Sequence, residues 1–278
     1  MHGFHGCLLH IDLSAGTCAR RDLDGSRLRG FLGGVGLGTS LLYEFAPPRV
    51  DPLAPANPLI FASAPLDGTG LTTTAKYAVV TKSPLTGFIA DSLSSSFFAL
   101  ELKRIGVDGL VITGRAASWV YLYIHGGNVE LREAARLKGK GATETSALIR
   151  SELGENKLRV GAIGQAGENC VRFATISNDE RHAGRGGVGA VMGSKLLKAV
   201  ALRGDREVEV ADPEGVEALA ESMRLRSHGD WTAKYRDIGT VANLAVFNRL
   251  GSLPTRNFQQ STFDHAEALS GETLTENS

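Results

Sequence analysis

Two pairs of short apolar segments joined by tight turns limit what this chain can fold into. Residues 7–13 and 18–23 are separated by Ser-Ala-Gly-Thr, and residues 119–125 and 129–133 are separated by Gly-Gly-Asn. Such turns are typical of β-hairpins, because Gly and Asn readily adopt the backbone conformations that a short turn needs. In the rest of the chain, predicted strands and single helices do not alternate strictly. The pattern predicts an α+β fold rather than a doubly wound parallel sheet.

The sequence changes in character after Asp212-Pro213, where short apolar segments give way to amphipathic and polar ones. We therefore predict two domains. The first is a β-rich platform with interspersed helices, residues 1–208. The second is the beginning of a helical domain, residues 209–278.

Two helices are predicted in this second part of the chain. Proline is favourable in the first turn of a helix, so the first helix is predicted from Pro213 to about Arg226. The second is predicted over residues 232–250, and residues 271–278 are predicted to lack regular structure. Because two helices form a poor independent core, we expect the chain to stop inside its second domain.

Charge and cysteine content narrow the classes of function. The 278 residues include 30 Lys+Arg and 30 Asp+Glu, and this balance argues against nucleic-acid or polybasic membrane binding. There is no apolar run near the roughly 20 residues of a membrane span and no signal-peptide pattern, so a soluble, cytoplasmic protein is expected. Cys7, Cys18 and Cys170 form no Cys-x-x-Cys pair. No metal-ligand set and no catalytic residue are predicted within the chain.

The strongest local motif is Gly184-Arg185-Gly186-Gly187-Val188-Gly189, before a predicted short helix. It satisfies Gly-x-Gly-x-x-Gly, and Asp205 follows 21 residues after Gly184, as in a dinucleotide-binding fingerprint. The segment does not directly follow its strand in a parallel unit, which disfavours a dinucleotide. Backbone N–H groups at a helix start, with Arg181 and Arg185 nearby, suit an anion such as phosphate. A tight surface loop without a ligand is the alternative that stays open.

Two further polar segments have ordinary structural explanations. Residues 72–76 place three threonines and Lys76 in a loop before a predicted strand. The serine run 94–96 comes before a predicted helix at residues 97–105, where a serine can cap the first turn. Taken alone, these segments are typical of solvated turns and helix caps.

Several segments together resemble the aldehyde:ferredoxin oxidoreductase family of tungsten- or molybdenum-pterin enzymes. In the family's order they are Asp51-Pro52-Leu53 with Asn57, PLDGT at 65–69, VTKSPLTGF at 80–88, Glu101-Leu102-Lys103, Gly167-Glu168-Asn169, AGRGGVGAVMGSK at 183–195, and Asn257-Phe258-Gln259. The resemblance covers nearly the whole chain, and the segment 183–195 is too long for a chance match.

The resemblance implies a β-rich α+β platform on which two pterin dithiolenes hold one metal ion. It implies the following pterin- and phosphate-binding residues: Lys76, Leu93, Ser94, Ser95, Ser96, Arg181, His182, Ala183, Gly184, Arg185 and Gly186. Lys76 stands where the family often has arginine. Leu93 and Ser95 replace a polar residue and a glycine of the family's pterin loop.

For the whole enzyme, the resemblance implies oxidation of an aldehyde to a carboxylic acid, with electrons passed through a [4Fe–4S] cluster to ferredoxin or a similar carrier. The cluster motif Cys-x-x-Cys-x-x-x-Cys and the acid–base residues would follow Ser278, so the chain alone is expected to be inactive. A second copy or a completing subunit is an expected partner. Two alternatives stay open: an active-site subunit of the benzoyl-CoA reductase type, and a non-catalytic metal-pterin-binding module completed by another chain.

Overall fold

The computed structural model describes residues 1–277, which divide into two compact units, one ending at Val216 and one beginning at Glu217. The first unit contains two six-stranded sheets together with helices, and this confirms the predicted α+β class. Within residues 1–277, none of the helices combines the length and the apolar character that a membrane-spanning segment needs.

The first sheet has the strand order β2-β1-β6-β3-β4-β5, and only β1 and β6 are parallel neighbours. Its strands are β1 (Cys7–Asp12), β2 (Thr17–Asp22), β3 (Leu59–Ala62), β4 (Lys76–Lys82), β5 (Ile89–Ser95) and β6 (Gly109–Thr113). The predicted first hairpin is confirmed as β1–β2.

The second sheet has the order β11-β10-β9-β12-β7-β8, and only β12 and β7 are parallel neighbours. Its strands are β7 (Val120–His125), β8 (Asn128–Glu133), β9 (Arg159–Ala162), β10 (Ile176–Asn178), β11 (Arg181–Ala183) and β12 (Leu197–Arg203). The second predicted hairpin is confirmed as β7–β8.

Helices cover the outer faces of the two sheets and fill the space between them. Those of the first unit are α1 (Gly25–Phe31), α2 (Gly34–Phe45), α3 (Phe97–Arg104), α4 (Ala142–Leu153), α5 (Gln165–Glu168) and α6 (Val188–Ser194). The main hydrophobic cluster joins both sheets with α3 and α6, and two smaller clusters pack α1 and α2 on the first sheet and α4 on the second.

Strand β4 illustrates how the sequence produces these layers. Tyr77 and Val79 belong to the cluster between the sheets, whereas Ala78 and Val80 belong to the cluster under α2. Side chains alternate across a strand, so a continuous apolar run is needed where both faces of a sheet are covered.

The second unit differs from its prediction in two places. It contains most of α7 (Pro213–Ser227), then α8 (Asp230–Asp237), a 3₁₀ turn (Thr240–Asn243), α9 (Leu244–Arg249) and α10 (Gly271–Glu276). The single helix expected over 232–250 is wrong, because Gly239 adopts a φ of 76° and interrupts it. The expected lack of structure after residue 270 is also wrong, since Ser270 accepts a hydrogen bond from the Thr273 N–H and caps α10.

Lys195, which follows α6, has a buried amino group without a carboxylate partner among residues 1–277. Its Nζ donates to the carbonyls of Pro55, at 2.9 Å, and Gly114, at 3.2 Å. Burial lowers the pKa of Lys195 to about 7, despite an opposing contribution from Asp12.

The free energy of unfolding is therefore expected to rise by about 3–5 kcal/mol between pH 7 and pH 10. In that window the unfolded chain still binds a proton at Lys195, whose ordinary pKa is 10.5, and the folded chain has lost it. Denaturant unfolding of wild-type and Lys195→Met protein at several pH values measures this slope, which the substitution should remove. Lys157→Met alters an exposed lysine and should keep the slope. Equal slopes in Lys195→Met and wild type would contradict the assignment.

Candidate functional site

The β4–β5 hairpin carries the first half of the predicted site. Lys76 pairs with Ser95, and Ala78 pairs with Leu93. Because side chains alternate, Lys76, Leu93 and Ser95 share the face of the hairpin that points away from the second sheet. Leu93 is 57% exposed there, whereas Ser94 on the opposite face is buried. The predicted serine run therefore divides between two faces.

The β10–β11 hairpin carries the second half. Its two-residue turn, residues 179–180, has φ values of 43° and 61°, a left-handed conformation that is uncommon without glycine. Arg181 and His182 are exposed, and Ala183 is buried. The His182 Nδ1 lies 2.8 Å from the hydroxyl of Ser177, its partner on the opposite strand, and this contact orients the imidazole.

The carboxylate of Asp179 holds this turn in place. It accepts hydrogen bonds from the Phe98 N–H at the start of α3, at 3.2 Å, and from Arg150 and Arg159, at 3.3 and 3.4 Å. A carboxylate at a helix N-terminus is stabilised by the unpaired N–H groups and the helix dipole. The position of Arg181 and His182 is thus fixed by α3 and by two arginines of the second sheet and α4.

Asn178 joins the two halves of the site. Its Oδ1 accepts from the Tyr77 hydroxyl at 2.7 Å and lies 3.0 Å from the Ser94 hydroxyl. Its Nδ2 donates to the Ser96 hydroxyl at 2.5 Å and to the Ser95 carbonyl at 3.3 Å. Tyr77, Ser94 and Asn178 are buried, whereas Ser95 and Ser96 are half-buried. Burial also raises the pKa of Tyr77 and keeps its phenol neutral. One amide therefore connects both predicted binding segments.

Asp67 holds the first residue of β4 in place. Its carboxylate accepts from the Ala64 N–H at 2.7 Å and from the Lys76 N–H at 3.4 Å. Burial raises the pKa of Asp67 to about 6 against the effect of these hydrogen bonds. Neither Asn178 nor Asp67 was identified as functional from sequence. The resemblance included Asp67 within PLDGT, but nothing in the sequence set Asn178 apart from other turn residues.

The glycine-rich loop packs onto the first sheet. The Arg185 N–H donates to the Ser92 hydroxyl at 2.9 Å, and the Gly186 carbonyl accepts from the Ser83 hydroxyl at 2.8 Å. Gly184 and Arg185 remain exposed. The loop therefore brings the second predicted segment against β5, the strand that carries the first.

The start of α6 does not present free backbone N–H groups in the way the sequence suggests. The first residues of α6, Val188 and Gly189, are buried, and the Gly189 N–H donates to the Ala174 carbonyl at 2.9 Å. The Gly189 N–H is therefore not available to an anion, whereas Gly184 and Arg185 of the preceding loop are exposed. The dinucleotide fingerprint is disfavoured further, because β11 and β12 run antiparallel and are separated by β10 and β9, so they form no βαβ unit.

The two hairpins and the glycine-rich loop expose a cationic surface that extends over more than one face: Lys76 and Leu93 lie on the face of β4–β5 that points away from the second sheet, and Arg181 and His182 alternate along β11. Its exposed members are Lys76, Leu93, Arg181, His182, Gly184 and Arg185. Ser95 and Gly186 are half-buried, Ser94 and Ala183 are buried, and Ser96 caps α3 by accepting from the Phe98 N–H. Within residues 1–277 no three His, Cys, Asp or Glu side chains form a metal-binding group. Exposed cations attract anionic groups, and the exposed Leu93 offers an apolar contact.

Comparison with known proteins gives two family matches. The model described as aldehyde ferredoxin oxidoreductase, N-terminal domain, matches residues 8–204. The model described as aldehyde ferredoxin oxidoreductase, domains 2 & 3, matches residues 217–278. Together they cover most of the chain.

Individual relatives agree with these matches. The chain is 43% identical to the tungsten-containing aldehyde ferredoxin oxidoreductases of Pyrococcus abyssi and Thermococcus kodakarensis, over 99% of this chain and 46% of each relative. A solved structure of the active site complex of benzoyl coenzyme A reductase with 1,5-dienoyl-CoA has a TM-score of 0.84 and 35% identity, over 99% of this chain and 44% of that one. The chain thus spans about half the length of the curated relatives it matches.

Proposed function

The chain belongs to the aldehyde ferredoxin oxidoreductase family, and from this premise we propose that it forms the platform that binds a tungsten-pterin cofactor in an aldehyde-oxidising enzyme. The observation that carries the proposal is the exposed cationic surface built from the β4–β5 and β10–β11 hairpins. Its residues are the ones that the family resemblance singles out.

The chemistry of this surface fits the proposed cofactor. Lys76, Arg181 and Arg185 are exposed cations that can pair with phosphate, and a guanidinium can do so with two parallel hydrogen bonds. Leu93 offers an apolar contact for a pterin ring. At Gly184 a Cβ would approach no atom closer than 3.9 Å, so the missing side chain leaves the backbone open to a ligand.

The remaining predicted residues have supporting roles in this proposal. Ser94 and Ser96 bind Asn178, and Ala183 is buried, so their side chains hold the two segments in place. Ser95 and Gly186 are half-buried and would contact the cofactor mainly through backbone atoms. The bound cofactor would supply the redox chemistry, and this chain would bind and orient it.

We assign the rest of the reaction to the part of the enzyme outside this chain. That part would contain the [4Fe–4S] cluster, the substrate cavity and the acid–base groups, and electrons from aldehyde oxidation would leave to ferredoxin. The isolated 278-residue chain is accordingly expected to lack aldehyde oxidation, and turnover by the pure chain would contradict this division.

Cofactor retention tests the proposed surface. In the enzyme that contains this chain, purified from cells supplied with tungstate, Arg181→Gln and Lys76→Gln are each expected to lower tungsten and pterin per chain about tenfold, the effect of losing a charge-assisted hydrogen bond. Metal analysis and pterin fluorescence after oxidation provide the measurement. Lys138→Gln removes the same charge from an exposed lysine outside the surface and should retain the cofactor. Full retention in both Arg181→Gln and Lys76→Gln would refute the assignment.

The similarity to the benzoyl coenzyme A reductase complex supports a second candidate on the same scaffold. The cofactor-binding role of the chain would be the same, and the substrate would be an aromatic coenzyme A thioester. Assaying the enzyme with aldehydes and with benzoyl-CoA separates the two. Activity with neither, together with tungsten and pterin retained by the isolated chain, would favour a cofactor-binding module.

A further inference from the structure

A small polar pocket in the first unit shares no residue with the surface described above. It has a volume of about 260 Å³ and is lined by arginines from three separate segments, Arg20, Arg104 and Arg206. His5 also lines it, and Asp205 is the one carboxylate in the lining among the described residues. Positive charge therefore predominates at a concave position.

Backbone contacts hold the arginines around this pocket. The Arg206 N–H donates to the Arg104 carbonyl at 2.9 Å, so residues 204–206 run beside residues 104–106. Arg20 reaches across from β2 and donates from Nη2 to the Gly106 carbonyl at 3.1 Å. The three guanidinium-bearing segments are thus fixed relative to one another before any ligand arrives.

The positive charges in this pocket are only partly compensated. Arg104 pairs with Glu101 at 3.0 Å. Neither Arg20 nor Arg206 forms an ion pair within the part of the chain that the structure describes. A concave site lined by charge of one sign concentrates counter-ions, and two unpaired guanidinium groups match a doubly charged oxyanion.

The ring of His5 supplies the second, independent observation. Its Nε2 is buried and has no hydrogen-bond partner among residues 1–277. Leaving a buried polar atom unpaired is costly, so native proteins rarely do so without a bound water, ion or ligand.

We propose that this pocket binds a tetrahedral oxyanion, either inorganic phosphate or sulfate or the phosphate group of a small molecule, between Arg20, Arg206 and the Nε2 of His5. The two arginines supply the charge. The imidazole donates a hydrogen bond from Nε2 to the anion. The anion thereby becomes the partner that Nε2 lacks among the described residues.

Binding is coupled to protonation of His5. Burial lowers the pKa of His5, Lys103 and Arg20 lower it further, and Asp108 opposes them. The other charged groups facing the pocket are Arg104, Arg206 and Asp205. Without ligand the ring is neutral at pH 7, and a bound dianion favours its protonated form, which donates from Nε2. Affinity should therefore rise as pH falls from 8 to 6.

Sulfate is the probe for the first test, because its charge is constant over this pH range. The full chain is titrated with sulfate against chloride at constant ionic strength, and amide NMR signals are followed. We expect saturable shifts at Gly106 and Gly127, which line the pocket, with tighter binding at lower pH. Linear or absent shifts at these glycines would overturn the proposal.

Variants distinguish this pocket from a general attraction of anions. Arg206→Gln is expected to weaken sulfate binding at least about tenfold. Arg21→Gln removes the same charge from the neighbouring strand residue, which packs over the Phe45 ring and does not line the pocket, so its affinity should be unchanged. His5→Phe should remove the pH dependence. Equal weakening by Arg206→Gln and Arg21→Gln would refute a specific site.

A comparison of inorganic phosphate with ribose 5-phosphate then identifies the source of the anion. Tighter binding of the ester indicates the phosphate group of a small molecule, and equal or tighter binding of phosphate indicates the free ion. Both results support the pocket. Binding of neither, with Arg206 intact, would count against it.

Discussion

Replacing Asn178 by alanine is expected to lower the free energy of unfolding of the first unit by about 3–5 kcal/mol. The substitution removes the acceptor of the buried Tyr77 and Ser94 hydroxyls. It also removes a donor to the half-buried Ser96 hydroxyl, which keeps the Phe98 N–H as a donor. A buried polar group without a partner costs about 1–3 kcal/mol, and here two buried hydroxyls lose their acceptor together. Denaturant unfolding followed by circular dichroism measures the loss.

Two further variants make this result specific. Asn156→Ala changes an exposed asparagine and should alter stability by less than about 0.5 kcal/mol. Asn178→Asp keeps an acceptor for Tyr77 but loses the donor to Ser96 and buries a charge, so it should also be destabilising. A loss below about 1 kcal/mol in Asn178→Ala would mean that the amide does not hold the two segments together.

Two glycines of segment 183–195 are expected to differ strongly in how much their replacement by alanine lowers the free energy of unfolding. At Gly193 an added Cβ would lie 1.8 Å from the Gly167 carbonyl oxygen, so α6 could not pack against α5. At Gly184 the nearest atoms would be 3.9 Å away. Gly193→Ala should therefore destabilise the chain by at least about 3 kcal/mol or prevent folding, and Gly184→Ala should stay within about 0.5 kcal/mol of wild type.

Thermal unfolding and soluble yield of the two variants provide the measurement. Since Gly184→Ala is expected to fold normally, its tungsten and pterin content reports on ligand contact alone. Similar stability of the two variants would contradict the packing of α6. The same comparison separates glycines that the fold needs from the one that the proposed cofactor needs.

The local parts of the fold were predictable because their signals lie within a few residues. The turns of the β1–β2 and β7–β8 hairpins have the chemistry that such turns require, and Gly154 ends α4 in the left-handed conformation expected of a C-terminal glycine. Strand β5 gave no such signal, because its buried positions include Ser92 and Ser94. The partners of these serines, the Arg185 N–H and Asn178, lie more than 80 residues away in the sequence.

The sequence identified the segments that form the candidate site. It did not reveal how these segments contact one another. The family resemblance singled out residues on both hairpins, and the structure brings β11 and the glycine-rich loop against β5. The burial of the start of α6 was not predictable, because periodicity does not reveal that the Gly189 N–H donates to the Ala174 carbonyl. Asn178 was missed for the same reason, since its role depends on contacts distant in sequence.

The distance along the chain between Tyr77 and Asn178, 101 residues, also sets the order of events during synthesis. At roughly 5–20 residues per second, about 5–20 s separate the emergence of the β4–β5 hairpin from that of its buried partner. Over that interval the hydroxyls of Tyr77 and Ser94 have only water to bind, and the edge strand β5 is unprotected. The proposed binding surface is consequently completed only after this long loop closes, and insertion of the proposed cofactor would follow that step.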